Sequence, residues 1–83
     1  MTAYALDPQV AIRPEPFGAL AYHYGNRRLT FLRDPKLVEV VRRLADHESV
    51  DATLDACGVE ATRRASFRKA LVSLADAGVL AER

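Results

Sequence analysis

The hydrophobic period of this chain changes once, at Asp34-Pro35, and that change narrows what it can fold into. Before it, apolar residues alternate with period two; after it, they recur at three- and four-residue spacing. Val10 and Ile12 share one face of a short β-rich run between Pro8 and Pro14. Leu20, Tyr22 and Tyr24 then alternate against Ala19, Ala21 and His23, and Arg28-Leu29-Thr30-Phe31-Leu32 resumes the alternation with Leu29 and Phe31 on one side. Gly25-Asn26 between the last two runs has the positive-φ tolerance of a tight hairpin. The expectation is three short antiparallel strands.

Asp34 is a capping carboxylate followed by proline at the first helical position. Leu37, Val38, Val40, Val41, Leu44 and Ala45 form one apolar stripe to about Asp46, with Arg42 and Arg43 near its end, where positive charge suits the helix dipole. Ser49 can cap a second, shorter helix carrying Val50, Leu54 and Cys57, stopped at Gly58. A third helix runs from about Ala61 to Ala77, with Phe67, Ala70, Leu71, Leu74 and Ala75 apolar, and Gly78 ends it so that Val79-Leu80 fold back on the core. The pattern predicts one α+β domain over 1–83, winged helix-turn-helix-like, with a three-stranded antiparallel sheet followed by three α-helices.

Inventory argues against catalysis. The 83 residues hold one cysteine, Cys57, and two histidines, His23 and His47, apart in sequence. No disulfide and no multi-cysteine zinc site can be built from them. There is no nucleophile with an evident base, no convergent ligand set and no glycine-rich phosphate loop. Cys57 reads as a packed small hydrophobe, His23 as a structural or surface residue and His47 as a helix-end cap. The expectation is a binding module rather than an enzyme, with no cofactor and no metal. No apolar run approaches the roughly 18 residues of a membrane span, and the N-terminal segment lacks the pattern of a signal peptide. The chain is therefore expected in the cytoplasm.

Charge placement says more than the net charge of +1 from 12 Lys+Arg and 11 Asp+Glu. Asp46, Glu48, Asp51, Asp55 and Glu60 fall in a stretch without any Lys or Arg. The cations gather as Arg27, Arg28, Arg33 and Lys36 around the third strand, and as Arg63, Arg64, Arg68 and Lys69 early in the third helix. If these elements are neighbours, they form a basic cleft for an acidic partner. A helix-turn-helix DNA-binding protein is one alternative, with the third helix in a groove. The acidic second helix and the near-neutral charge argue against it, since phosphate neutralisation supplies most of such affinity. Another alternative is a homodimer that pairs the exposed strand with its own copy. The third reading is a peptide added as a strand to the sheet edge, main-chain bonds giving affinity and the adjoining helix reading side chains. Phe67 and Leu71 would then extend the floor of the groove, with core packing the simpler role for both.

The run Val10-Ala11-Ile12-Arg13-Pro14-Glu15-Pro16-Phe17-Gly18-Ala19-Leu20, with Tyr22-His23-Tyr24, Arg27-Arg28-Leu29-Thr30-Phe31-Leu32, Leu44-Ala45-Asp46-His47 and Leu71-Val72-Ser73-Leu74-Ala75-Asp76-Ala77-Gly78, resembles the peptide chaperones of mycofactocin biosynthesis. These are small relatives of the PQQ-pathway peptide chaperone, within the class of RiPP precursor-peptide recognition elements. The resemblance implies a winged-helix-like domain on whose third strand, against the third helix, the acidic leader of a precursor peptide docks as an extra strand. It also implies a radical SAM maturase as the partner to which the peptide is presented. On this sequence the expected peptide-binding residues are Leu29, Thr30, Phe31 and Leu32 for backbone pairing, and Arg28, Arg64 and Arg68 for charge steering. Phe31, Phe67 and Leu71 are the expected apolar contacts. No nucleic acid and no membrane is expected as a partner.

Overall fold

In the computed structural model, which describes residues 3–82, the period change at Asp34 is a physical corner. The Asp34 side chain accepts the Lys36 N–H at 2.9 Å, and Pro35 opens the first helix, α1 (Pro35–Arg43). The cap satisfies one of the helix's orphan N–H groups, and proline at the first position has no N–H to satisfy. The stripe expected to run to Asp46 tightens after Arg43 into a 3-10 turn over Leu44–Asp46. Ser49 caps α2 (Val50–Ala56) through the Ala52 N–H, and α3 (Ala61–Asp76) follows. Gly58 and Gly78 take φ of +70° and +87° after α2 and α3, the left-handed conformation that lets a chain leave a helix sharply.

Among the described residues five strands, rather than three, precede and follow these helices. The strands β2 (Val10–Glu15), β3 (Gly18–His23) and β4 (Leu29–Leu32) form the expected antiparallel meander in the order β2-β3-β4. Pro14 lies inside β2 and is tolerated because β2 is an edge strand. The additional pair is β1 (Tyr4–Leu6) with β5 (Leu80–Glu82), antiparallel, with Leu6 opposite Leu80. This second sheet ties the start of the described chain to its end. The fold is thus α+β, with a three-stranded antiparallel sheet before three α-helices and a two-stranded ribbon spanning both halves.

The β3–β4 turn corrects a second expectation. Arg27, not the Gly25-Asn26 pair, takes the left-handed φ, at 59°. Side-chain acceptors hold the loop instead: His23 Nδ1 accepts the N–H groups of Gly25 and Asn26 at 3.0 and 3.1 Å, and Asn26 Oδ1 accepts the Arg28 N–H at 2.8 Å. His23 is therefore the structural residue expected of it, with Nε2 3.9 Å from Asp7. A Cβ at position 25 would meet the Gln9 and His23 side chains, so a larger residue there would have to displace them.

The core lies between the inner sheet face and the helices. Ala19, Ala21 and Leu32 present that face to Val40, Val41, Leu44, Leu54, Phe67, Leu71 and Leu74. Cys57 is buried among them, and desolvation pushes its thiol pKa up. Phe67, Leu71 and Leu74 follow i, i+4, i+7 along α3, the stripe that faces the core. Because Leu71 is 1% exposed, Leu71→Ala is expected to lower unfolding free energy by about 2–5 kcal/mol. Chemical denaturation checks this, and a loss well under 1 kcal/mol would contradict the core role.

Candidate functional site: the free edge of the sheet

No strand pairs with the outer side of β4 among the described residues. The phase of its ladder follows from one bond. His23 N–H donates to the Arg28 carbonyl at 3.0 Å, in register with Tyr22 opposite Leu29 and Leu20 opposite Phe31. Hydrogen-bonded and non-hydrogen-bonded pairs alternate in an antiparallel ladder. Thr30 and Leu32 therefore exchange backbone bonds with Ala21 and Ala19, while the N–H and C=O groups of Leu29 and Phe31 point to the free edge. The same alternation turns the Leu29 and Phe31 side chains to the outer face, where they are 50% and 51% exposed, and turns Leu32 into the core. The expected backbone-pairing residues thus divide, with Leu29 and Phe31 offering bonds outward and Thr30 and Leu32 spending theirs on β3.

The cations divide as well. Arg28 and Arg27 are exposed beside the edge, and Arg33 lies over the Phe31 ring with its guanidinium carbon 5.6 Å from the centroid. The arginines of α3 are engaged by carboxylates. Arg64 pairs with Asp55 and Arg68 with Asp51, at 2.5 and 2.8 Å, and Arg64 Nε also donates to the Val59 carbonyl. Arg63 spans from α3 to Asp34 and lies over Phe67, 4.9 Å from its centroid. The expected basic cleft is therefore not a run of unpaired charge, because carboxylates from α2 and the β4–α1 junction neutralise its helix side. Such exposed pairs are worth about 0–1 kcal/mol each and can be exchanged for other carboxylates. Phe67 and Leu71 are buried, at 5% and 1% exposure, and present no open surface.

The residues 51, 55, 64 and 68 carried a signal in sequence that charge grouping hid. Asp51 and Asp55 are four apart, as are Arg64 and Arg68, so each pair lies on one helix face and the two rows meet rung by rung. Phe17 was also missed. It occupies the turn between Glu15 and Gly18, is 42% exposed and meets Phe31 at 5.8 Å between ring centroids. Its only sequence cue was a large apolar residue flanked by turn residues. No group of three or more His, Cys, Asp or Glu among the described residues can hold a metal ion, and no described helix is long and apolar enough to cross a membrane.

With the edge defined, the relatives become informative. The model of the family described as "Peptide chaperone MftB family" matches residues 3–81. The chain belongs to the MftB peptide chaperone family. Proteins named "Peptide chaperone MftB" from Mycobacterium ulcerans and Mycolicibacterium smegmatis are 47% and 46% identical, over 93% and 94% of this chain and 71% and 76% of theirs. The protein of that name from Mycobacterium tuberculosis is 41% identical over 96% of this chain and 73% of its own. No solved structure matches the chain significantly. The match runs from before β1 into β5, so the free edge lies within the matched region.

One electrostatic cluster supports the helices behind this edge. Lys36 Nζ donates to Glu39 at 3.1 Å and to the Cys57 carbonyl at 2.8 Å, joining α1 to the end of α2, and Arg43 donates to the other Glu39 oxygen at 3.1 Å. The Lys36 hydrogen bond, assisted by Arg43, holds the Glu39 carboxyl below its ordinary pKa despite opposing desolvation. A carboxyl with a lowered folded-state pKa contributes stability above its unfolded pKa of about 4.3, lost as pH falls through the folded value. Glu39→Gln is accordingly expected to be less stable than wild type at neutral pH, with the gap closing in acid. Denaturation midpoints across pH check this, and a pH-independent gap would contradict it.

Proposed function

We propose that this chain is a non-catalytic peptide chaperone that binds the acidic leader of a ribosomally made precursor peptide by strand addition to β4. In this reading 1–83 form one winged-helix-like recognition domain, working in the cytoplasm and presenting the bound precursor to a radical SAM maturase of the mycofactocin type. The observation that carries the reading is the free edge of β4, where Leu29 and Phe31 direct two N–H and two C=O groups outward. An extended peptide satisfies these groups without any rearrangement of the sheet. The name shared by the relatives, peptide chaperone, supports the ligand class.

Each expected residue has a place in this proposal. Leu29 and Phe31 pair with the peptide backbone, while Thr30 and Leu32 hold β4 to β3. Arg28 is open to the peptide's carboxylates. Arg64 and Arg68 contribute only by exchanging Asp55 and Asp51 for carboxylates of the leader, and Phe67 and Leu71 support the groove from beneath. The DNA-binding alternative is weaker because the net charge is only +1 and α3, the helix that would enter a groove, has Asp51 and Asp55 of α2 beside it, where they would repel phosphates. Pairing of the same free edge with a second copy is the competing use of β4, and the leader would displace it.

Proline substitution separates the two kinds of backbone position, because proline lacks an N–H. Leu29→Pro is expected to keep the fold and to weaken binding of a synthetic acidic leader by more than about tenfold, roughly 1.4 kcal/mol. Thr30→Pro instead removes a ladder bond to β3 and lowers stability. Fold is checked by circular dichroism and affinity by calorimetry. Undiminished leader binding by folded Leu29→Pro would contradict strand addition.

A further inference from the structure

Beside the free edge, the outer face of the sheet holds a hollow that backbone pairing alone leaves unfilled. Phe17 from the β2–β3 turn and Phe31 from β4 meet at 43° between ring planes. With Arg33 they line an open hollow of about 260 Å³. Both rings are about half exposed, although a large apolar surface is costly to leave in water. The guanidinium of Arg33 lies over Phe31 and, unlike those of α3, makes no ion pair among the described residues. Arg27, Arg28 and Arg33 beside β4 thus make no ion pair among the described residues, whereas Arg63, Arg64 and Arg68 of α3 each do, so this face is complementary to an apolar group flanked by negative charge.

Strand geometry says which residues of an added peptide reach the hollow. The residue opposite Phe31 pairs with its outward N–H and C=O, and its side chain lies on the same outer face. The next peptide residue on that face is two positions away and lies opposite Leu29 on one side or toward Arg33 on the other. We infer that Phe17, Phe31 and Arg33 form a specificity subsite for the added strand. The hollow takes an aromatic or long aliphatic side chain of the peptide, and Arg33 takes a carboxylate two residues away on the same face. The subsite rests on the strand-addition reading, adds a selection rule to it, and places that rule on the sheet face turned away from the helices.

The test uses the full chain and short synthetic peptides of alternating threonine and glutamate, with one central glutamate replaced by phenylalanine. Control peptides carry alanine for that phenylalanine, or glutamine for the glutamates two residues to either side. Amide NMR titration follows binding to wild type, Phe17→Ala and Arg33→Gln, both altered at exposed positions. The phenylalanine peptide is expected to bind Phe17→Ala about tenfold more weakly than wild type, while the alanine peptide hardly distinguishes the two, the coupling of a direct contact. Arg33→Gln is expected to remove the preference for glutamate over glutamine. Equal binding of all peptides by all three proteins, or binding of none of them, overturns the subsite. Leu29→Pro separates this failure from failure of strand addition. Leader binding lost in Leu29→Pro but unaffected by Phe17→Ala and Arg33→Gln overturns the subsite alone, whereas leader binding undiminished in Leu29→Pro overturns both.

Discussion

Two alanines set the geometry on which everything else rests. Ala19 and Ala21 are fully buried on the inner face of β3, where α1 packs against the sheet. Small side chains there allow the helices to lie close, and the buried leucines and valines fill the space between. Strand alternation then leaves no choice for the other face. Leu20 and Tyr22 on β3, with Leu29 and Phe31 opposite them on β4, must point away from the helices. A sheet whose central strand is small on the inside and large on the outside therefore builds its core and an apolar outer surface from one repeating pattern.

Electrostatics joins the helices to that sheet at its corner. Asp34 caps α1 through one carboxylate oxygen and pairs with Arg63 of α3 through the other. Lys36, in the first turn of α1, reaches the end of α2. The rungs Asp51–Arg68 and Asp55–Arg64 then zip α2 to α3. Individually such pairs contribute little, but together they consume most of the positive charge on α3. Beside β4, by contrast, Arg27, Arg28 and Arg33 make no ion pair among the described residues. The division of cations into paired and open groups supports a ligand that approaches along the sheet edge rather than one gripped mainly by the helix.

Much of this was legible in the sequence because it is local. The Asp34-Pro35 helix start, the Ser49 cap, the Gly58 and Gly78 stops and the three alternating runs each depend on neighbours within a few residues, and each has its counterpart in the structure. The pairing of Tyr4–Leu6 with Leu80–Glu82 was not legible, since three-residue strands carry almost no periodic signal and their partners lie at opposite ends of the chain. The left-handed residue of the β3–β4 turn was misassigned because Gly25-Asn26 looks like a complete turn, whereas the His23 ring takes over its N–H groups and moves the positive φ to Arg27. At the site, the exposed strand was readable from alternation. The ladder phase that distinguishes Leu29 from Thr30 depends on a bond between His23 and Arg28, and no residue type announces it.

The central claim is that the backbone of Leu29 and Phe31 is an open template for a peptide strand. Residue-resolved amide hydrogen exchange tests it most directly, with and without a synthetic acidic leader. In the free protein the Leu29 and Phe31 amides should exchange rapidly while those of Thr30 and Leu32, bonded to β3, are protected. The account predicts that the leader slows Leu29 and Phe31 and leaves the alternating pattern of their neighbours unchanged. Saturable leader binding without protection at these two amides would contradict it.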